Sequence, residues 1–226
     1  MLIAITATRL SKAAFAQSPL GLSLERISFD RSMKLVLVEE NHLGLPTVYN
    51  TFLNETFREH DLVFLHDDLW LDDLFFSDHI RRSLDTFEIV GLAGNRRLLP
   101  NAPAWHVRND EMQWDSDNLS GIVCHGPQPF GAPSIYGPTP AAVQLLDGVM
   151  IAARASTLLD AGLRFDERFG FHFYDLDFSR QANAANLKVG TWPIAVTHVS
   201  GGSFGSPAWQ RDLALYREKW GALLSE

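Results

Sequence analysis

The sequence predicts an α/β protein built on a parallel sheet flanked by helices, and three observations predict it. Short apolar runs recur at Leu2 to Ala7, Lys34 to Val38, Leu62 to Leu65 and Ile89 to Leu92. Each is bounded by polar residues and apolar on both faces, as strands buried in a parallel sheet are. Helix-like periods lie between the runs, so strands and helices alternate and the connections should be right-handed crossovers. The third run leads straight into His66-Asp67-Asp68, placing polar chemistry at the carboxyl end of a strand, where such sheets bind ligands.

The elements follow in order. The connection from Ser11 to Ser23 is poorly periodic but is read as helix. Pro46 suits a first helical position, where its missing N–H is harmless. Val48, Phe52, Leu53, Thr56 and Phe57 then share one face. Asp72 or Asp73 is placed to cap a helix whose face carries Phe76, Ile80, Leu84 and Phe87. Leu99 to Pro140, with Trp105, Trp114 and several prolines, has little regular period. A long loop of that kind in a compact domain is usually functional. Gln144 to Ala153 reads as a strand interrupted by Asp147-Gly148, and Ser156 to Ala161 as a short helix stopped by Gly162. Leu176 to Leu187 reads as a helix and Val189 to Val199 as a last strand. Trp209 to Leu224 reads as a closing helix with the stripe Leu213, Tyr216 and Trp220.

A chain of 226 residues suits one domain. Its formal net charge of -8 argues against a basic nucleic-acid-binding surface. An acidic protein still binds an anionic nucleotide when a divalent cation bridges the two. Cys124 is the single cysteine, so no intrachain disulfide forms, which fits a reducing, cytoplasmic compartment. Met1 to Phe15 lacks the charged-then-apolar order of a signal peptide. No apolar run approaches the roughly 18 residues needed to span a bilayer, so work at a membrane would be as a peripheral partner.

Four segments carry candidate chemistry. At His66-Asp67-Asp68, carboxylate oxygens suit Mg²⁺ or Mn²⁺, cations that also take phosphate oxygens; the plain alternative is a solvated turn before a helix. In Phe171 to Phe178, Asp175 and Asp177 sit among aromatic and apolar residues, costly surroundings for a carboxylate without a partner. One of the two is expected to cap the helix and the other to face the cleft, where a general base is needed. At Val196 to Ser203, His198 precedes a glycine-rich loop. Imidazole is a good further ligand for Mn²⁺, and glycines let backbone N–H groups approach a diphosphate. Asp147-Gly148 inside a strand marks a bulge or the close approach of a ligand.

In this order, the segments resemble the family-2-like glycosyltransferases of GT-A fold, over about Leu2 to about Gly205. The resemblance implies a mixed, mostly parallel sheet with flanking helices. It divides a single 1–226 domain into a nucleotide-binding half (1–98), an acceptor and catalytic half (99–205) and a C-terminal helix (206–226). The family's Asp-x-Asp motif, which binds a divalent cation and the nucleotide diphosphate, is matched by His66-Asp67-Asp68, with histidine in place of the first acid. Asp68 is then the metal ligand, with His66, and Asp67 lies on the donor. Thr6, Ala7 and Thr8 are implied at the nucleobase, and Glu39 or Glu40 at the acid that reads uracil. The Glu-Asp motif that bears the base resembles Tyr174-Asp175, which gives Asp175 as catalytic base, supported by Asp177 and by Tyr174 in the glutamate's place. Asp147-Gly148 resembles the segment lining the donor sugar, and His198 a late histidine completing the metal site. The implied activity is an inverting, Mn²⁺- or Mg²⁺-assisted transfer from a nucleotide sugar, a UDP-sugar by family bias, to a carbohydrate or glycan acceptor. Aromatic residues from Trp105 to Tyr136 either cover that acceptor or pack their loop on the sheet. The two altered motif positions also fit an inactive GT-A module that binds a nucleotide sugar or glycan.

Overall fold

A computed structural model describes residues 1–201 and 204–221. The strands are β1 (Leu2–Ala7), β2 (Met33–Val38), β3 (Asp61–Leu65), β4 (Leu69–Leu71), β5 (Ile89–Gly91), β6 (Ala93–Asn95), β7 (Leu119–His125), β8 (Ala132–Gly137), β9 (Ala141–Ala142), β10 (Leu145–Leu146), β11 (Met150–Arg154), β12 (Val189–Thr191) and β13 (Val196–His198). The helices are α1 (Lys12–Phe15), α2 (Pro19–Arg26), α3 (Leu45–Asn50), α4 (Phe76–Leu84), α5 (Ala155–Asp160), α6 (Tyr174–Ala184) and α7 (Pro207–Gly221).

The main sheet runs β2-β1-β3-β11-β5-β12-β9. β1, β2 and β3 are mutually parallel, and β12 is parallel to β5. β11 runs antiparallel between β3 and β5. The sheet is therefore mixed and mostly parallel, as expected. β1, β3 and β5 are buried apart from Asp61, which is why they read as unbroken apolar runs; β12 is buried too. β2 departs from that pattern because it is the edge strand, and Leu35 on it is 39% exposed.

A second sheet, β10-β6-β7-β13-β4 with β8 paired to β7, lies at the end of the first where β3 passes into β4 and β5 into β6. Its parallel β7–β13 pair aligns His125 with His198.

Several expected elements are cut shorter or split. The helix expected from Pro46 to Phe57 ends at Asn50, and Glu55–Phe57 is a separate 3₁₀ turn. Asn54 interrupts it, accepting the Thr56 N–H through its side chain. Neither Asp72 nor Asp73 is the N-cap of α4, a position held by Phe75. Asp73 instead accepts the Phe75 N–H just upstream, and Asp72 is drawn to the Thr197 hydroxyl at 2.6 Å and the Phe130 N–H at 3.0 Å. The segment 144–153 is two strands in two sheets, because Asp147-Gly148 turns the chain between β10 and β11. The segment 189–199 splits likewise into β12 and β13, with Trp192-Pro193 between them. The 99–140 stretch, expected to lack regular structure, carries the β7–β8 hairpin. Gly162, in the left-handed region at φ +63°, ends α5 as its sequence implied. α7 buries Tyr216 and Trp220; the expected residues 222–224 lie outside the described part.

Candidate active site

β3 is anchored by buried Leu62, Val63, Phe64 and Leu65, so the residue after it, His66, emerges in a fixed place. Its N–H donates to Val149 O at 3.2 Å, joining it to β11's approach. Two residues on, Asp68 meets β13: Val199 N–H donates to Asp68 O at 3.1 Å, and Asp68 Oδ2 lies 3.2 Å from His198 Nε2. The Ser200 hydroxyl is 3.1 Å from the same nitrogen. One ligand atom each from His66, Asp68 and His198 falls within 4.8 Å of the others. Burial works against charge on Asp68, but the His198 hydrogen bond and charge, with Ser200 and His66, outweigh it and hold the carboxyl well below its usual range. Burial likewise lowers His198, yet Asp68 and the more distant Asp147 outweigh it and raise that imidazole. Among the described residues no carboxylate pairs so closely with His66, and burial, with the charge of His198, keeps it below the ordinary imidazole value despite nearby acids.

The neighbouring wall is the start of α6. Phe173, buried and in the left-handed region at φ 63°, turns the chain so that Tyr174 and Asp175 reach β11's approach. The Tyr174 hydroxyl donates to Gly148 O at 2.6 Å and sits 3.2 Å from His66 Nε2. Gly148 N–H donates to Asp175 Oδ2 at 2.8 Å. Asp147 accepts from Trp105 Nε1 at 2.8 Å and from Val149 N–H at 2.9 Å. Burial, reinforced by Asp147's charge, pushes Asp175 up to about 7 against the pull of the Leu176, Asp175 and Gly148 N–H groups. His66, His198, Asp147, Gly148, Tyr174 and Asp175 all line one cavity of about 320 Å³.

Other expected residues fall elsewhere. Thr8, at the end of β1, donates from its hydroxyl to Asp67 Oδ2 at 2.5 Å, so these two meet across adjoining strand ends beside the cavity. Thr6 and Ala7 are buried in β1, and the Thr6 hydroxyl has no partner. Glu39 and Glu40 are exposed beyond β2, with Glu39 accepting the Lys12 N–H at 2.6 Å. Asp177 is fully buried but turned away from the cavity. It accepts from Lys219 Nζ at 2.6 Å, Gln181 Nε2 at 2.7 Å and Trp220 Nε1 at 2.8 Å, and burial still outweighs these partners and raises its pKa. The expectation that one of the two acids caps α6 and the other faces the cleft is met by half: Asp175 faces it, and Asp177 is an internal ion-pair partner.

The aromatic residues of the 99–140 stretch differ in burial. Trp105 is buried, with Tyr136 edge-on at 4.9 Å between ring centroids. Trp114 stacks on Tyr136 at 6.0 Å and stays 54% exposed; all three line the cavity. Sequence reasoning missed His125 and His106. His125 enters the cavity wall beside His198, 6.1 Å between rings, through a strand pairing that the proline-rich sequence around it concealed.

The donors fit a divalent cation. Asp68 Oδ1 is buried and has no hydrogen-bond partner, an arrangement that leaves a carboxylate oxygen seeking a positive charge. Two imidazoles with one carboxylate are a donor set for Mn²⁺ more than for Mg²⁺, which prefers oxygen alone. Among the described residues no helix is long and apolar enough to cross a membrane.

No family model matches the chain, and no curated protein sequence matches it. Solved structures do. GalNAc-T7 with UDP, GalNAc and Mn²⁺ aligns at TM-score 0.57 and 9% identity, over 99% of this chain and 49% of that one. TarS of S. aureus aligns at 0.50 and 14%, over 96% of this chain and 39% of that one. A197 from STIV aligns at 0.47 and 10%, over 85% of this chain and 81% of that one. The chain thus spans half or less of the length of the first two, and what it shares with them is a fold: the GT-A glycosyltransferase type of mixed α/β sheet flanked by helices.

Proposed function

We propose that the chain is a metal-assisted, inverting glycosyltransferase of the family-2-like kind. In this reading it moves a sugar from a nucleoside-diphosphate donor, a UDP-sugar, to a hydroxyl of a carbohydrate or glycan acceptor. The observation that carries the proposal is the unpartnered, buried Asp68 Oδ1 beside His66 and His198, two residues that line one cavity with Asp175. His66, Asp68 and His198 would hold Mn²⁺, or less well Mg²⁺. When bound, such a cation supplies Lewis-acid stabilisation of the leaving diphosphate, worth several kcal/mol.

The protein's own part is positioning and proton transfer. Thr6, Ala7, Thr8, Asp67 and Glu39 or Glu40 would hold the nucleoside end of the donor along the strand ends of 1–98. Asp147 and Gly148 would line the donor sugar. Asp175 would take the proton of the acceptor hydroxyl, and a carboxyl poised near 7 suits a general base at neutral pH. One base opposite the leaving group, with no second carboxylate as nucleophile, gives inversion. The exposed face of Trp114 offers a stacking surface to an acceptor sugar, within the 99–205 half, and the helix in 206–226 braces α6 from behind.

A thermal-shift panel of nucleotide sugars with and without Mn²⁺ tests the reading, because a ligand bound only to the folded state raises its midpoint. A UDP-sugar should raise it in the presence of Mn²⁺, and Asp68→Ala should abolish the metal-dependent part. A midpoint that no nucleotide moves sinks the donor assignment. Binding without turnover of any bound UDP-sugar would mark the chain as an inactive module instead.

A further inference from the structure

Two groups within hydrogen-bond distance of the Tyr174 hydroxyl, Gly148 O and His66 Nε2, differ in what they can do. The Gly148 carbonyl oxygen, 2.6 Å away, only accepts a hydrogen bond, so the single phenolic proton goes to it. His66 Nε2, at 3.2 Å, therefore faces an oxygen lone pair and must carry a hydrogen of its own. A neutral imidazole protonated on Nε2 keeps its lone pair on Nδ1.

The parts of this chain are fixed. Tyr174 is 2% exposed, and its ring is boxed by Tyr49 and Phe165 at centroid distances of 6.1 and 6.0 Å. Gly148 is held from its other side by Asp175, and a Cβ there would come within 2.6 Å of the Tyr174 hydroxyl. We propose that Tyr174 is a positioning residue, which locks His66 as the Nε2–H tautomer through the relay His66 Nε2–H to Tyr174 Oη–H to Gly148 O and so offers Nδ1 as the ring's metal ligand. This rests on the cation reading of the site above. It also gives a reason for tyrosine where the resembled family carries an acid: a protonated phenol both donates and accepts, which a carboxylate does not. An outer partner that sets a ligand histidine's tautomer typically changes metal affinity by 10–100-fold.

Two measurements test it. In the metal-free protein, long-range ¹H–¹⁵N spectra should show His66 as the Nε2–H tautomer, its signals assigned by their loss in His66→Gln. An Nδ1–H ring overturns the inference whether or not a metal binds. In calorimetry with MnCl₂ alone, Tyr174→Phe should still melt in one cooperative transition, bind Mn²⁺ about 10–100-fold more weakly and show a mixture of His66 tautomers. Equal affinity in the two proteins overturns the positioning role while leaving the metal site standing. Wild-type protein that binds no Mn²⁺ removes the metal site and the ligand role together.

Discussion

Asp175 and Asp177 lie two residues apart in the first turn of α6, and they belong to different regions of the molecule. At about 100° per residue, two positions apart on a helix point about 200° away from each other. Asp175 reaches the cavity wall, where a single backbone N–H from outside its own helix turn holds it and where it faces Asp147's charge. Asp177 reaches the seam with α7, where an ammonium, an indole N–H and an amide saturate it. The same side chain thus serves two ends. A carboxylate left short of partners keeps a pKa free to work near neutrality, and one surrounded by donors fixes a helix.

The largest effect that separates the two regions should come from Asp175→Asn. On the proposed reading, in which Asp175 is the base and a UDP-sugar the donor, turnover is expected to fall by about 10²–10⁴-fold, with nucleotide affinity kept. In the wild type, turnover should climb with pH through about 7 as Asp175 loses its proton. Stability should move the opposite way. A carboxyl raised in the folded state binds more protons folded than unfolded, so it weakens the fold as pH rises from about 4 toward 7. Asp175→Asn should therefore melt later than wild type at pH 8, by about 2 kcal/mol after allowance for solvent reaching the cavity, and alongside it at pH 4. Full turnover in the variant would move the base elsewhere.

Asp177→Ala should do the reverse. Removing one partner of a buried pair leaves the other charge stranded, at a cost of about 3 kcal/mol; Lys219 keeps Asp166 at 2.8 Å, which places the figure at the low end. For a chain of this size that lowers the melting midpoint by roughly 6–12 °C. Turnover per folded molecule, measured well below the transition, should fall no more than a few-fold. A thousandfold loss there would mean that Asp177 acts in the chemistry after all.

How much of this could be read in advance follows the same division. His66-Asp67-Asp68 was legible because an apolar strand, buried on both faces, announces where its polar end emerges. His198 was legible for the same reason, since Val196 and Thr197 are buried in β13. Asp177's role was not, because Lys219 and Trp220 lie some forty residues further on in α7 and nothing local to α6 points to them. The insertion of β11 between β3 and β5 was also hidden: an antiparallel partner from the far half of the chain leaves no mark on either parallel strand. The β7–β8 hairpin went unread because Pro127, Pro129, Pro133 and Pro138 interrupt its period, and with strand β7 went His125, whose place beside His198 comes from the parallel β7–β13 pairing.

Gly148→Ala gives the finest probe of the cavity wall. The added Cβ would meet the Tyr174 hydroxyl at 2.6 Å and Asp175 Cβ at 2.8 Å. Neither neighbour has room to retreat: Tyr174 is enclosed by aromatic rings, and α6 is pinned by Phe178 stacked on Phe165 at 4.0 Å and by the Asp177 seam. The Gly148 peptide must shift instead, at an overpacking cost of about 1–3 kcal/mol, and its N–H loses Asp175. That hydrogen bond favours the charged carboxylate, so its loss raises the Asp175 pKa further, and the midpoint of the pH–turnover curve should move above its wild-type position near 7. A variant that is slower but keeps the wild-type midpoint would show that the glycine gives room to the substrate without tuning the base, and the contrast between a lightly held acid and a saturated one would lose its chemical meaning.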